Sequence, residues 1–270
     1  DAVVAAIGDR PIRQPDPAAR PPLAEGQPRE ADLVGRRIVV TAGGTREPID
    51  PVRYIGNRST GKMGVALAEA AAARGAEVTL VAAAVEVPLP AEARVVRVES
   101  TADLRAALAE AMADRPDALV MAAAVADFTP ARPADRKITR RDGLTLELAP
   151  TPDLLAEIGA SAAATDPAAR PVLVGFAAET GSLERAAEKL RAKGVDLLVA
   201  NDVAEPGSGF GTDTNRVTIL DRAGRADELP LLGKREVADR ILDRVARALD
   251  DRDAAAQTGR STAPSERGTT

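Results

Sequence analysis

Residues 37–82 read RIVVTAGGTREPIDPVRYIGNRSTGKMGVALAEAAAARGAEVTLVA, and the fold class turns on how they are read. Arg37–Ala42 is a short β-branched run that stops at Gly43-Gly44, the pattern of a strand buried on both faces. Residues 61–74 then bring helix formers in series up to Gly75, a glycine placed to end a helix. Glu77–Ala82 is a second apolar run of strand length. Strand, helix and strand in that order predict a parallel pair joined by a crossover.

The alternation continues along the chain. Residues 94–98 and 117–124 read as strands, with a helix over 101–114 between them and Ser100 or Thr101 as its N-cap. A hairpin is expected at 137–149. A helix at 152–163, a strand at 171–178, a helix at 182–193, a strand at 195–200 and a last helix at 233–249 follow. The expected class is therefore α/β: a Rossmann-like, mostly parallel sheet with helices on both faces, extended by a hairpin and a flap. Ligands of such sheets sit beyond the carboxyl ends of the strands. The aromatic residues Tyr54, Phe128, Phe176 and Phe210 are each expected in or just beyond a strand-to-helix loop.

Either side of this core the composition changes. Residues 10–30 hold six prolines and almost no large apolar residue, so 1–32 are expected to be the remnant of a preceding domain and a Pro-rich linker. The folded domain is placed at 33–250, and the small, polar residues 251–270 are expected to form a disordered tail.

Composition removes whole classes of chemistry. The 270 residues include no Cys and no His, which excludes disulfides, thiolate zinc sites, thiol nucleophiles and imidazole bases. A net charge of −5 argues against coating nucleic acid by bulk charge. No run approaches the roughly 20 apolar residues of a membrane span. With no signal-peptide pattern at the start, the expected compartment is cytoplasmic.

The loops carry the candidate chemistry. Within 41–64 a glycine pair and a helix start offer backbone N–H groups to an anion, and Arg46, Arg53, Arg58 and Lys62 add positive charge suited to phosphate. Gly56, Gly61 and Lys62 have Walker spacing, but Met63 stands where a Mg²⁺-binding hydroxyl belongs. No G-x-G-x-x-G follows the first strand, and the second ends in Ala82 rather than a ribose-binding acid. In 121–130 (MAAAVADFTP), small residues admit a ligand, and Asp127 is either a carboxylate for Mg²⁺ between phosphates or a turn cap. Lys137 lies among four basic residues in six, which taken alone reads as a solvated turn. Thr151 before Pro152 and Asp153 reads as an N-cap with proline at the first helical position. Phe176 ends a buried strand, placed either against a base or in the core. Lys189 and Lys193 project from one helix face, ordinarily a solvated one. Residues 205–215 (EPGSGFGTDTN) suggest a mobile flap tipped by Phe210.

Taken together, TAGGTREPIDPVRYIGNRSTGKMG, AAAVADF, the lysine of KIT, TPDLL, GFAAET, KLRAKG, AND and GFGTDTN resemble the phosphopantothenate–cysteine ligase family over about 34–247. This is the synthetase half of the bacterial bifunctional coenzyme A biosynthesis protein. The resemblance implies a CTP-dependent reaction. The carboxylate of 4′-phosphopantothenate becomes an acyl-cytidylate with loss of pyrophosphate, and cysteine then displaces CMP. It implies that Asn57 holds the acyl-cytidylate, Arg53 helps bind phosphopantothenate and Lys137 assists cytidylate formation. Gly43 and Gly44 would lie at the nucleotide, and Ala123 and Ala124 would meet the substrates through their backbone. Asp127 would face the CTP phosphates and a Mg²⁺ or other divalent ion. Thr151, Pro152, Asp153, Leu154, Phe176, Lys189 and Lys193 would bind CTP, and Phe210 would cover the site. A homodimer exchanging the segment near 138–149 is implied, as is a flavin-dependent decarboxylase half in the full-length protein. With no Cys or His, no FMN site is expected in this chain. The competing expectations are a Rossmann-type NAD(P) oxidoreductase and a non-catalytic nucleotide-binding module.

Overall fold

Ile38, Val40 and Ala42 of the first strand face one buried layer and Val39 faces another, because helices cover both sides of the sheet it belongs to. The computed structural model describes residues 31–140, 143–179, 183–202, 209 and 211–261. In chain order the first elements are β1 (Arg37–Ala42), β2 (Arg46–Pro48), β3 (Tyr54–Gly56), α1 (Lys62–Ala73), β4 (Glu77–Ala82), β5 (Arg94–Arg97), α2 (Thr101–Ala113) and β6 (Ala118–Met121). Then come β7 (Phe128–Pro130), β8 (Leu148–Pro150), α3 (Leu154–Ala163), β9 (Val172–Glu179), α4 (Leu183–Ala192) and β10 (Leu197–Asp202). The last are β11 (Thr214–Asn215), β12 (Val217–Asp221), β13 (Ala226–Glu228), β14 (Leu232–Gly233) and α5 (Lys234–Ser261).

Among the described residues, one sheet runs β13-β12-β10-β9-β6-β1-β4-β5. All neighbours from β10 to β5 are parallel, while β12 and β13 add an antiparallel edge. Counted along the chain, the parallel strands lie in the order 3-2-1-4-5-6. The winding therefore reverses between β1 and β6, where a doubly wound sheet opens a crevice. On one face α1 and α5 pack Leu67, Ala71, Val237, Ile241 and Val245 over Ile38, Val40 and Leu80. On the other, α2, α3 and α4 pack Leu104, Leu155, Ala186 and Leu190 over Val39, Leu119 and Leu198. Each fully buried leucine contributes roughly 1.5–3 kcal/mol.

Two charged clusters fix the helices. Arg74, fully buried at the end of α1, donates from Nε and Nη2 to Asp32 at 2.8 and 2.7 Å, and from Nη1 to Asp243 and the Asp239 carbonyl at 3.1 Å. At the amino ends of the strands, Asp117 accepts from the Arg37 amide at 3.0 Å and from Arg252 at 2.9 Å, and Arg36 reaches Asp253 at 2.6 Å.

The strand and helix alternation follows the sequence reading closely, and Ser100 caps α2 through a reciprocal bond with Asp103. Several expectations need correction. The tail placed at 251–270 is helical through Ser261, because Arg252 and Asp253 anchor it to the strand ends and Ala254, Ala255 and Ala256 propagate it. Asp32 already belongs to the fold through Arg74, one residue before the expected boundary. The hairpin at 137–149 is replaced by pairing of β8 with β7, since Ile138 is drawn to the β2–β3 turn. Asp153, not Thr151, caps α3, and the Thr151 hydroxyl donates to the Ala126 carbonyl at 2.5 Å. Tyr54 and Phe128 stand on the short, exposed strands β3 and β7 rather than in strand-to-helix loops, and Phe176 lies mid-strand opposite Val199. The remnant and linker at 1–30 and the flap tip Phe210 lie outside the described residues.

Candidate functional site

The loops beyond the carboxyl ends of β1, β6, β9 and β10, with the starts of α1, α3 and α5, enclose a cavity of about 850 Å³. Residues 57–64, 121–127 and 151–155 form much of its wall. The β1 and β6 loops are laced together at the crevice. Thr41 Oγ1 accepts from the Ala123 amide at 3.0 Å, and Thr45 Oγ1 from the Ala126 amide at 2.9 Å. Asn57 Nδ2 donates to the Val125 carbonyl at 3.0 Å. Asn57, an exposed side chain on a polar loop, is thereby held in the cavity wall.

Of the residues singled out in the sequence, Asn57, Ala123, Ala124, Asp127, Thr151, Pro152, Asp153, Leu154, Phe176, Lys189 and Lys193 all line this one cavity. They come from five separate stretches of chain. The Ala123 and Ala124 amides are taken up by Thr41 Oγ1 and by the Gly43 carbonyl. Lys193 donates to both oxygens of Asp153, at 3.0 and 2.8 Å. Burial works to raise the Asp153 carboxyl, but the Lys193 ammonium and the Ala156 amide outweigh it and hold the group below the usual carboxylate range.

Five expected site residues stand elsewhere, one of them Arg46, whose guanidinium lies 4.6 Å over the Tyr54 ring. Gly43 and Gly44 are buried and do not line the cavity; the Gly44 amide donates to the Ala84 carbonyl, and the Gly43 and Gly44 carbonyls accept from the Ala124 and Ala84 amides, so the pair ties the β1 loop to its neighbours. Arg53 also lies outside the wall. Its guanidinium bonds Asp50 at 2.5 and 3.0 Å and the Ile138 carbonyl at 2.7 Å, while the Ile138 amide donates to Asp50 at 3.0 Å. Those Arg53 bonds, aided by backbone amides, hold Asp50 far below the ordinary carboxylate range. Arg53 and Asp50 thus fasten the segment carrying Lys137, and Lys137 itself is exposed and absent from the wall of this cavity.

The structure also sets Lys62, already read as phosphate-binding charge, beside Lys234, which no local pattern exposed. Lys62 opens α1 and Lys234 opens α5, 172 positions later, yet both line the cavity. Lys62 Nζ bonds the Gly211 carbonyl at 3.0 Å and Asp213 at 2.6 Å; Lys234 Nζ bonds the carbonyls of Gly209 at 3.1 Å and Thr212 at 2.5 Å. Burial, then repulsion from Lys62, pulls the Lys234 ammonium below its ordinary pKa, with Asp213 opposing. Asn201, near the end of β10, also lines the cavity. Among the described residues no three acidic side chains gather as a metal cage. No helix among them is long and apolar enough to cross a membrane.

Comparison with known proteins gives the family. The coenzyme A biosynthesis bifunctional protein CoaBC of Bacillus subtilis is 44% identical over 246 residues, covering 89% of this chain and 58% of that protein. Its counterpart in Mycobacterium bovis is 46% identical over 222 residues, covering 79% and 53%. The chain thus spans a little over half the length of these relatives. A crystal structure of the C-terminal domain of a CoaBC protein superposes with a TM-score of 0.68 at 41% identity, covering 81% of this chain and all of that one. A DNA/pantothenate metabolism flavoprotein from Streptococcus pneumoniae shares the fold at 24% identity and a TM-score of 0.65, covering 79% of this chain and all of its own. Residues 33–249 match the DNA/pantothenate metabolism flavoprotein C-terminal domain, and the chain belongs to that family.

Proposed function

We propose that this domain joins cysteine to 4′-phosphopantothenate in coenzyme A biosynthesis, using CTP and passing through an acyl-cytidylate. The observation that carries the reading is the convergence of Asn57, Asp127, the 151–154 turn, Lys189 and Lys193 on one cavity at the sheet's winding reversal. The substrate carboxylate attacks the α-phosphorus of CTP and pyrophosphate leaves with its bonding electrons. The cysteine amine then attacks the acyl carbon, CMP departs, and the amine proton is lost. Neither step requires a protein nucleophile, in keeping with a chain that has no Cys and no His. What the protein supplies is alignment and positive charge where the phosphates gather charge. Lys189 and Lys193, on α4 and just past its end, face the triphosphate, and Asp153 fixes Lys193.

Divalent ions in nucleotide sites commonly take one or two carboxylates, with phosphates and waters completing the shell. Asp127, exposed in the cavity wall, fits that sharing. A Mg²⁺ held there when nucleotide binds would neutralise phosphate charge. FMN has no part in this reading, and flavin-dependent decarboxylation is assigned to the other half of the full-length protein.

Lys137 points to a second copy. Its segment is fastened away from its own cavity, beside the mutually touching β2–β3 and β7–β8 excursions. These expose Val52, Tyr54, Phe128 and Leu148, with Leu144 and Leu146 close by in sequence. Such a run of large apolar side chains is what a homodimer covers. In that dimer Lys137 would serve the partner's cavity during cytidylate formation.

The test is pyrophosphate release with each of the four nucleoside triphosphates, with and without 4′-phosphopantothenate. Release with CTP alone, dependent on the acid, is expected. Release with no dependence on CTP or the acid, or hydride transfer with NAD(P)H, would overturn the reading. The dinucleotide alternative lacks support at Gly44, whose amide is taken, and at Ala82, where an acid would be needed.

Gly159 offers a check on the nucleotide end. A methyl group there would meet the Lys193 carbonyl oxygen at 2.0 Å, because α3 and the turn after α4 touch backbone to backbone. Gly159→Ala should displace residues 193–194, separate Lys193 from Asp153 and lower stability by about 1–3 kcal/mol. Urea unfolding should show that loss, and calorimetric titration should show CTP bound about tenfold more weakly, with 4′-phosphopantothenate binding unchanged.

A further inference from the structure

Outside the cavity wall, three buried polar side chains form a chain of hydrogen bonds that the proposed chemistry leaves unused. Thr45, Glu47 and Thr101 are 0, 4 and 2% exposed, and none of them lines the cavity. Glu47 Oε1 accepts from the amide and the hydroxyl of Thr101, at 2.8 and 2.7 Å. Thr101 is the first residue of α2, and a helix start is where a carboxylate is favoured. Thr101 Oγ1 lies 3.3 Å from Thr45 Oγ1, which accepts from the Ala126 amide at 2.9 Å. A hydroxyl has one proton to give. The Thr101 proton takes the shorter, charge-assisted bond to Glu47, so the Thr45 proton fills the contact with Thr101 and a Thr45 lone pair is left for Ala126. The proton order therefore runs one way, from the Ala126 amide down to a buried carboxylate.

What this chain grips is the irregular stretch between β6 and β7. The Thr45 amide donates to the Ala124 carbonyl at 3.2 Å, so Thr45 holds both residues that flank Val125. Thr151 takes the next two carbonyls, Ala126 through its hydroxyl and Asp127 through its amide, at 2.5 and 3.0 Å. The carbonyl left between these holds is that of Val125, and it receives the Asn57 side chain. We infer that Thr45 is a positioning residue for the second step of the reaction: by fixing Ala124 and Ala126 it sets the Val125 carbonyl, and through that carbonyl the Asn57 amide. Thr101 and Glu47 keep the Thr45 hydroxyl in its accepting orientation. The inference rests on the ligase reading for the step it names.

The experiment uses Thr45→Val, which removes the hydroxyl and keeps the shape, and Thr45→Ser, which keeps the hydroxyl without the methyl. In rapid-quench single turnovers well below the melting temperature, Thr45→Val should form 4′-phosphopantothenoylcysteine roughly 10- to 100-fold more slowly and accumulate acyl-cytidylate, while pyrophosphate release stays within about twofold of wild type. Thr45→Ser should bring product formation back to within about threefold. Thr101→Val should slow the same step by a smaller factor and add little to Thr45→Val, because both break one chain; it decides the matter if Thr45→Val fails to fold. A packing role alone would lower the melting temperature and leave the ratio of the two rates untouched. An unchanged ratio in the folded variants, or Thr45→Ser as slow as Thr45→Val, overturns the inference. Hydrogen exchange needs no substrate and separates the two claims: the Ala126 amide should exchange about tenfold faster in Thr45→Val. Faster exchange there in a chain that forms no product would keep the brace and sink the ligase reading; product from the wild type, with rates and exchange unchanged in the variants, would do the reverse.

Discussion

Asn57→Asp should leave the first half-reaction running and arrest the second. The amide of Asn57 donates to the Val125 carbonyl at 3.0 Å and lines the cavity between the β1 and β6 loops. An aspartate there keeps the shape but turns a donor into an anion, facing a carbonyl oxygen and, in the proposed reaction, the phosphate of the acyl-cytidylate. Loss of one well-placed donor to a developing charge typically slows a step by about 10²–10³. Formation of 4′-phosphopantothenoylcysteine should fall by about that factor, while a single turnover still releases pyrophosphate and accumulates acyl-cytidylate, visible by mass spectrometry after rapid quench. Product formed at the wild-type rate would remove Asn57 from the mechanism. Failure to form any cytidylate would move its role to the first step.

Arg74→Met should carry the largest loss of stability, with no direct effect on chemistry. The guanidinium is fully buried and holds Asp32, Asp243 and the Asp239 carbonyl, joining the end of α1 to α5 and to the segment before β1. Methionine fills much of the volume but removes the Arg74 cation from two poorly exposed carboxylates. Breaking a buried ion pair from one side costs about 3–5 kcal/mol. For a domain of this size the melting temperature should fall by on the order of 10 °C. Urea unfolding measures the loss, and kcat per folded molecule should stay near wild type. A companion variant with Asp243→Leu added should recover part of the loss, because the remaining buried charge is then smaller. A loss below about 1 kcal/mol would mean that the carboxylates find other partners.

What the sequence made legible follows from range. Strands such as RIVVTA and EVTLVA, and the helix closed by Gly75, announce themselves through local pattern, and all appear where the pattern puts them. The cavity residues were legible through motif resemblance, since no spacing rule connects Asn57 to Lys193. Lys234 was invisible because its partner is in three dimensions: a lysine opening the last helix looks like surface charge until α1 and α5 are packed side by side. The tail failed for a similar reason. DRDAAAQTGRS has the composition of a frayed end, and only the ion pairs with Arg36 and Asp117 make it helix. Thr151 misled because an aspartate two residues on is a stronger acceptor for the first turn of α3, which frees the hydroxyl for Ala126.

The run of α5 has a consequence for how the domain is tethered. At 1.5 Å per residue its 28 residues extend about 40 Å, from Lys234 in the cavity wall to Arg252 and beyond at the amino ends of the strands. Arg36, on the strand of chain that leads into β1, meets Asp253 at that same pole. Leu33, Arg36 and Arg252 therefore stand at the end remote from the cavity, and a label carried on a residue of that pole leaves the path of arriving ligands open.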